Sequence, residues 1–300
     1  MKYNLGIALS GGGARGIAHL GVLDALHKQG IEPEVVAGTS MGAIVGCFYA
    51  AGLEPKKILE EIKKEKLSKF LSWSLPGEGF FDLEHIEELM TRYIGENDFK
   101  ALKKPLFVSV SNLHSGKNEI ISQGPLFDYV IASASIPIVF KPRIINQTLY
   151  VDGGMQNNLP VMAIRDICKH VIGVHVNHSG PLEKITGMKE IAERCLRLVI
   201  ESNIRDSVEA CDILIQPEHV KNFFTFDFRK ADALYKTGFD ACEEMMPEIV
   251  EKLGAVQPDK QSGQGNDEEK LSGKKKAGLI SRTIKKIGGK LGGKARLLTL

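Results

Sequence analysis

Apolar positions along this chain fall into two alternating periods. Compact apolar runs at Tyr3 to Leu9, Val35 to Ala37, Pro105 to Val110, Ile144 to Val151, Val171 to Val176 and Asp212 to Gln216 have the length and β-branched content of strands. His114 to Lys117 reads as a turn and Asn118 to Ser122 as the return strand of a hairpin at the sheet edge. Between these runs the spacing becomes helical. Ile17, Leu20, Leu23 and Leu26 share one face of a helix that Gly30 stops, and Ala43 to Ala51 forms a small-residue helix. Further helices are predicted over Pro55 to Lys66, through Ile86, Leu89 and Met90 behind an Asp82 cap, and over Ala231 to about Lys252. One long helix is predicted from Lys184 to Ala210, with Ile191, Cys195, Leu198 and Val199 on one face. Strands that alternate with helices predict an α/β domain.

Two junctions in this pattern carry chemistry. Gly38-Thr39-Ser40-Met41-Gly42 fits a strand that reverses sharply into a helix, presenting the Ser40 hydroxyl at a strained turn above a helix N-terminus that favours developing negative charge. Ser10-Gly11-Gly12-Gly13-Ala14-Arg15-Gly16 follows the first strand. Its glycines let successive amides point into one concavity, as an anion or oxyanion requires. With both turns at the carboxyl ends of adjacent parallel strands, the amides of Gly12 and Gly13 face Ser40 across one crevice. A rival reading takes Gly11, Gly13 and Gly16 as a dinucleotide-binding loop with Glu32 or Glu34 on the ribose. Glu34, however, precedes its strand rather than following it.

Asp152-Gly153-Gly154 ends a strand and suits a general base for Ser40, although Asp-Gly equally marks a plain turn. His170, His175, His178 and His219 follow Asp152 in the chain order of an α/β-hydrolase triad. None has a neighbourhood that favours it, and His19 reads as a helix-packing residue bonded to backbone. The aromatic stretches Phe70 to Phe81 and Phe223 to Phe228 read either as satellite core or as the border of an acyl pocket.

Composition refines this picture mainly at the carboxyl end. With 43% hydrophobic and 25% charged residues among 300, one large α/β domain is favoured over two smaller ones. The net charge is +2, but residues 271–300 hold 9 of the 39 Lys and Arg and no acid, leaving 30 bases against 37 acids and a net charge of −7 before them. Three regions are therefore expected: a hydrolase domain over 1–255, a polar linker over 256–270 and a basic tail over 271–300. Ile280, Ile284, Ile287 and Leu291 give the tail an amphipathic period suited to an anionic membrane, with polyanion binding and plain solvation as competing readings. Gly288, Gly289, Gly292 and Gly293 weaken that helix. Five scattered cysteines argue against a disulfide framework or zinc site, and no apolar run has the length of a membrane span. The amino terminus lacks the features of a signal peptide, so a cytoplasmic protein, peripheral on the inner face of the membrane, is expected.

Gly11 to Gly16 followed by Ala18-His19-Leu20-Gly21-Val22-Leu23, Gly38 to Gly42, Ala132-Ser133-Ala134-Ser135-Ile136-Pro137, and Val151 to Gly154 leading into Asn157-Asn158-Leu159-Pro160 resemble the patatin-like phospholipase family in motif and order. The resemblance spans residues 5 to about 215. It implies a three-layer α/β fold with a central, mostly parallel sheet and helices on both faces. It also implies acyl-ester hydrolysis of lipids by a serine/aspartate dyad: Ser40 as nucleophile, Asp152 as its partner acid, and Gly11, Gly12, Gly13 and Arg15 as the oxyanion loop. A lipid acyl ester is the implied substrate, with no cofactor, metal or specific nucleic acid. A nucleotide-binding protein and a catalytically silent lipid-binding module are the alternatives.

Overall fold

Strand β1 (Tyr3–Leu9) sends Leu5, Ile7 and Leu9 into one apolar cluster and Ala8 into another on the opposite face. This period-two division between two cores is what a strand covered on both sides requires. The computed structural model describes residues 1–64, 83–137, 139–178, 185–225 and 227–254, all within a compact unit spanning Met1–Val256. The linker and basic tail, Asp82, and the aromatic stretch from Phe70 to Phe81 lie outside the described residues.

After β1 come α1 (Ala18–Lys28), β2 (Val35–Thr39), α2 (Met41–Ala50), α3 (Pro55–Lys64), α4 (Glu84–Tyr93), the hairpin of β3 (Leu106–Asn112) and β4 (Lys117–Ile121), and α5 (Leu126–Ala134). Then follow β5 (Arg143–Ile145), β6 (Thr148–Asp152), β7 (Cys168–Val174), α6 (Met188–Ser202), α7 (Arg205–Glu209), β8 (Ile213–Ile215) and α8 (Ala231–Leu253). The sheet runs β5-β6-β3-β2-β1-β7-β8, with β4 paired to β3 off that path. From β3 to β8 all neighbours are parallel, whereas β4, β5 and β6 join antiparallel.

The larger cluster joins α1, α2, α5 and α8 to one face of the sheet. The opposite face is covered more thinly: Leu159, Val161 and Ile164, in the segment before β7, pack with Ile204 on Ala8, Val35 and Ala37. The expected mostly parallel sheet flanked by helices is present, with an antiparallel portion at β4, β5 and β6 that makes it mixed.

Two elements differ from the sequence pattern. Ile144 to Val151 is a tight hairpin instead of one strand, because Asn146 and Gln147 take left-handed backbone angles of φ 49° and 64° and fold β5 back onto β6. No glycine advertises this turn. The predicted helix from Lys184 to Ala210 breaks at Asn203 and Ile204 into α6 and α7. There the Asn203 side chain leaves the helix to bond the loop after β6. The apolar stripe on α6, with Ile191, Leu198 and Val199, is exposed, and so is Cys195.

Candidate active site

Ser40 sits between β2 and α2 with φ 55° and ψ −126°, a conformation that costs a non-glycine residue about 1–3 kcal/mol. Its neighbours make the strain possible. A Cβ on Gly42 would stand 2.2 Å from the Leu9 carbonyl oxygen, so only glycine lets α2 start this close to the end of β1. The Ser40 amide donates to Ser133 Oγ at 2.9 Å, and that hydroxyl donates to Ser109 O at 2.7 Å. The turn is thus tied to α5 and β3.

Asp152 reaches the same place from the antiparallel side of the sheet. Thr39 pairs with Ser109 across β2 and β3, and Asp152 pairs with Val110 across β3 and β6, so the register brings both strand ends to one level. The Asp152 amide donates to Ser135 O at 3.0 Å, and its carbonyl accepts from Ser111 Oγ at 3.0 Å. Its carboxylate accepts from the Gly154 amide at 2.7 Å, and the Ser40 side chain lies near enough to lower its pKa. Burial pushes the carboxyl up from 3.8 to about 6, against the lowering effects of the Ser40 side chain and the Gly154 amide. A carboxylate so displaced is a stronger base than a solvated one.

The segment after Asp152 crosses the ends of the central strands. A Cβ on Gly153 would lie 2.2 Å from Ser109 O, which marks how closely the chain passes over β3. Beyond it, Asn157 O accepts from Thr39 Oγ1 at 2.9 Å and from Ser109 Oγ at 3.2 Å. Asn158 O then accepts the Gly11 amide at 3.1 Å, so the acid's turn and the glycine loop are directly bonded.

That bond sorts the glycine amides. Gly11 gives its N–H to Asn158, Ala14 gives its own to Thr225 O at 2.6 Å, and Arg15 gives its own to Gly12 O at 3.2 Å. Among the described residues the Gly12 and Gly13 amides have no such acceptor. The buried Arg15 guanidinium donates to Phe223 O through Nε at 2.9 Å and Nη2 at 2.8 Å, and to Asn177 Oδ1 at 3.4 Å. Arg15 therefore clamps the 223–225 backbone against the loop.

Among the described residues no histidine is hydrogen-bonded to Ser40 or Asp152. His170 pairs with Leu5 on the amino-terminal half of the sheet, and His219 is exposed. His175 is buried and its imidazole is pushed down to about 3, mainly by burial and then by the nearby His178 and His19. His19 Nε2 is 2.8 Å from Ser10 O, the backbone bond expected for a packing residue, and burial lowers its pKa to about 4. Glu34 precedes β2, where its carboxylate accepts the Asn4 amide at 3.2 Å, at the opposite end of the strand from Ser40.

Sequence reasoning missed four supports. Ser133 holds the Ser40 amide. Asn203 donates to Gly154 O at 3.0 Å and accepts from the Asn158 amide at 3.1 Å. Phe223 and Thr225 lend carbonyls to the glycine loop. The only signal of the last pair was the aromatic cluster, whose rings behave unequally. Phe223 and Phe228 pack against the core, Phe224 is 76% exposed, and Phe226 lies outside the described residues.

Known proteins resemble the chain over most of this unit. A lysophospholipase NTE1 of Candida glabrata is 27% identical over 281 residues, covering 83% of this chain but 16% of its own length. The chain thus spans about a sixth of that relative. An uncharacterized NTE family protein of Mycobacterium tuberculosis is 33% identical over 180 residues, covering 58% of this chain and 50% of its own. Among solved structures, VipD of Legionella pneumophila aligns with a TM-score of 0.48 at 16% identity, covering 83% of this chain and 67% of its own. The family model described as patatin-like phospholipase matches residues 7–164, the stretch from β1 through the Ser40 turn to the residues beyond Asp152, and the chain belongs to that family.

Proposed function

We propose that this protein hydrolyses acyl esters of lipids, lysophospholipids among them, through an acyl-enzyme on Ser40. The observation that carries the reading is that the Ser40 side chain lies close enough to a buried Asp152 to influence its carboxyl, which burial raises to about 6. The Ser40 hydroxyl attacks the ester carbonyl carbon while Asp152 takes its proton, and the amides of Gly12 and Gly13 receive the oxyanion. Collapse of the tetrahedral intermediate expels the alcohol, which takes the proton back from Asp152. Water then enters with Asp152 again as base, and the carboxylic acid leaves as Ser40 regains its proton. A single carboxylate does the work that a triad divides between imidazole and acid. Its ordinary pKa, about 3.9, is too low for that, and burial supplies the correction.

Family membership and relatives named lysophospholipase support this substrate class. The position of Glu34 away from the glycine loop weighs against nucleotide binding. Among the described residues no helix is long and apolar enough to cross a membrane, so a peripheral encounter with lipid is the proposed geometry; adhesion of residues 271–300 to an anionic surface is part of this proposal. The test is labelling by a fluorophosphonate probe together with hydrolysis of a 1-acyl lysophospholipid. Wild type is expected to be labelled at Ser40 and to turn over, and Ser40→Ala to do neither. Undiminished turnover by Ser40→Ala would exclude the mechanism.

A further inference from the structure

A cavity of about 120 Å³ opens beside α5, lined by Leu83, Ile131, Ser135, Phe140, Lys141, Pro142 and Arg143. It adjoins the candidate dyad through Ser135, which lines the cavity while its carbonyl accepts the Asp152 amide. Four of the lining side chains are apolar, and two are cations. The mixture of apolar wall and cations suits a polar head group better than an acyl chain.

The charges around it favour an anion. Lys141 is exposed and stands in no ion pair among the described residues. Arg143 is bound through Nη2 to Glu87, and its Nε is buried without a hydrogen-bond partner. Leu83 is the N-cap of α4 and has no side-chain cap bond, so the positive end of that helix dipole lies at the cavity wall. The acids in that first turn are Glu84, which is exposed, and Glu87, already held by Arg143. The opposing carbonyls at the end of α5 are turned inward: Ile131 O accepts Ser135 Oγ at 2.9 Å, Ala132 O the Ser135 amide at 3.1 Å and Ala134 O the Ile136 amide at 3.0 Å.

Resting on the hydrolase reading above, we infer that this cavity binds the phosphate of a glycerophospholipid head group, with Lys141 and Arg143 as its cationic contacts. The apolar walls take the glycerol carbons, and the ester lies across Ser135 toward Ser40. A charge-assisted contact to phosphate of about 1.5–3 kcal/mol corresponds to a preference of about 10-fold or more.

The experiment compares 1-acylglycerol 3-phosphate with 1-acylglycerol of the same chain length in wild type, Lys141→Glu and Lys141→Arg. The ratio of kcat/KM for the phosphorylated over the neutral substrate is expected to fall about 10-fold or more in Lys141→Glu, mainly through KM, and to be kept by Lys141→Arg. Glycerol 3-phosphate is expected to compete better than inorganic phosphate, and to lose that advantage in Lys141→Glu. An unchanged ratio, or inorganic phosphate competing equally well, overturns the head-group assignment. If wild type hydrolyses neither ester, the hydrolase reading fails instead, and equilibrium binding of glycerol 3-phosphate decides the subsite alone: weakening by Lys141→Glu upholds it, and equal binding overturns it.

Discussion

The two halves of the sheet deliver their residues to the candidate site by different physics. On the parallel side, Ser40 is positioned by its own backbone: a left-handed turn made possible where α2 starts against the end of β1. On the antiparallel side, Asp152 has an unstrained backbone, its carbonyl accepting from the distant Ser111 hydroxyl and its amide donating to the Ser135 carbonyl. The next residues are fastened to Thr39, Ser109 and Asn203. Strain concentrated in one turn makes the serine side intolerant of small changes in shape. Distributed tethers make the acid side sensitive to loss of polar partners, each by a smaller amount.

The comparison is tested most severely at the acid itself. Asp152→Asn keeps the shape and removes the base, so ester hydrolysis is expected to fall by about 10³–10⁴-fold in steady-state kinetics. The same variant is expected to be more stable than wild type at pH 8. Between 3.8 and about 6 the folded protein retains a proton on Asp152 that the unfolded chain has already released. Wild-type stability from this group therefore falls as pH rises through that window and stays lower above it, by on the order of 2–3 kcal/mol. Asparagine carries no such penalty. Urea unfolding at pH 4 and pH 8 checks this, with the gap between variant and wild type present only at the higher pH.

Gly42→Ala probes the strained side. The new Cβ meets two backbone oxygens, of Leu9 at 2.2 Å and Ser10 at 2.6 Å, neither of which can swing away. A loss of about 1–3 kcal/mol in denaturant unfolding is expected, with activity reduced even where the protein remains folded. Asn203→Ala probes the tethered side and is expected to be milder, about 10-fold in kcat/KM. By loosening the turn after Asp152 it admits water, so the pH at which activity half-appears is expected to move below the wild-type value. A loss of stability with an unmoved pH profile would reduce Asn203 to a structural brace.

The same contrast explains what could be read from the chain. The Ser40 turn and glycine loop were visible because their backbone shapes demand particular residues within a few positions. Asp152-Gly153-Gly154 was ambiguous by itself, since the same residues make an ordinary turn, and it gained a role only beside the family's other motifs. The supporting roles of Ser133, Asn203, Phe223 and Thr225 could not be read from the chain, even where a motif or the aromatic cluster contained the residue, because a polar group that acts across the fold places little local demand on sequence. The sheet itself was legible from apolar periodicity, except at Asn146-Gln147, where the turn uses no glycine, and at Asn203, where a side chain bonded far away ends a helix whose apolar spacing runs on. Ile191, Leu198 and Val199 on α6 show the converse, apolar residues at helical spacing that are exposed.

The most direct test of the Ser40 and Asp152 pairing is the pH dependence of kcat/KM for a non-ionising acyl ester. The account predicts activity rising with unit slope through an apparent pKa of about 6, set by the buried carboxyl, and its loss as a distinct limb in Asp152→Asn. A limb of the same midpoint surviving in Asp152→Asn would assign the base to another group and contradict the account.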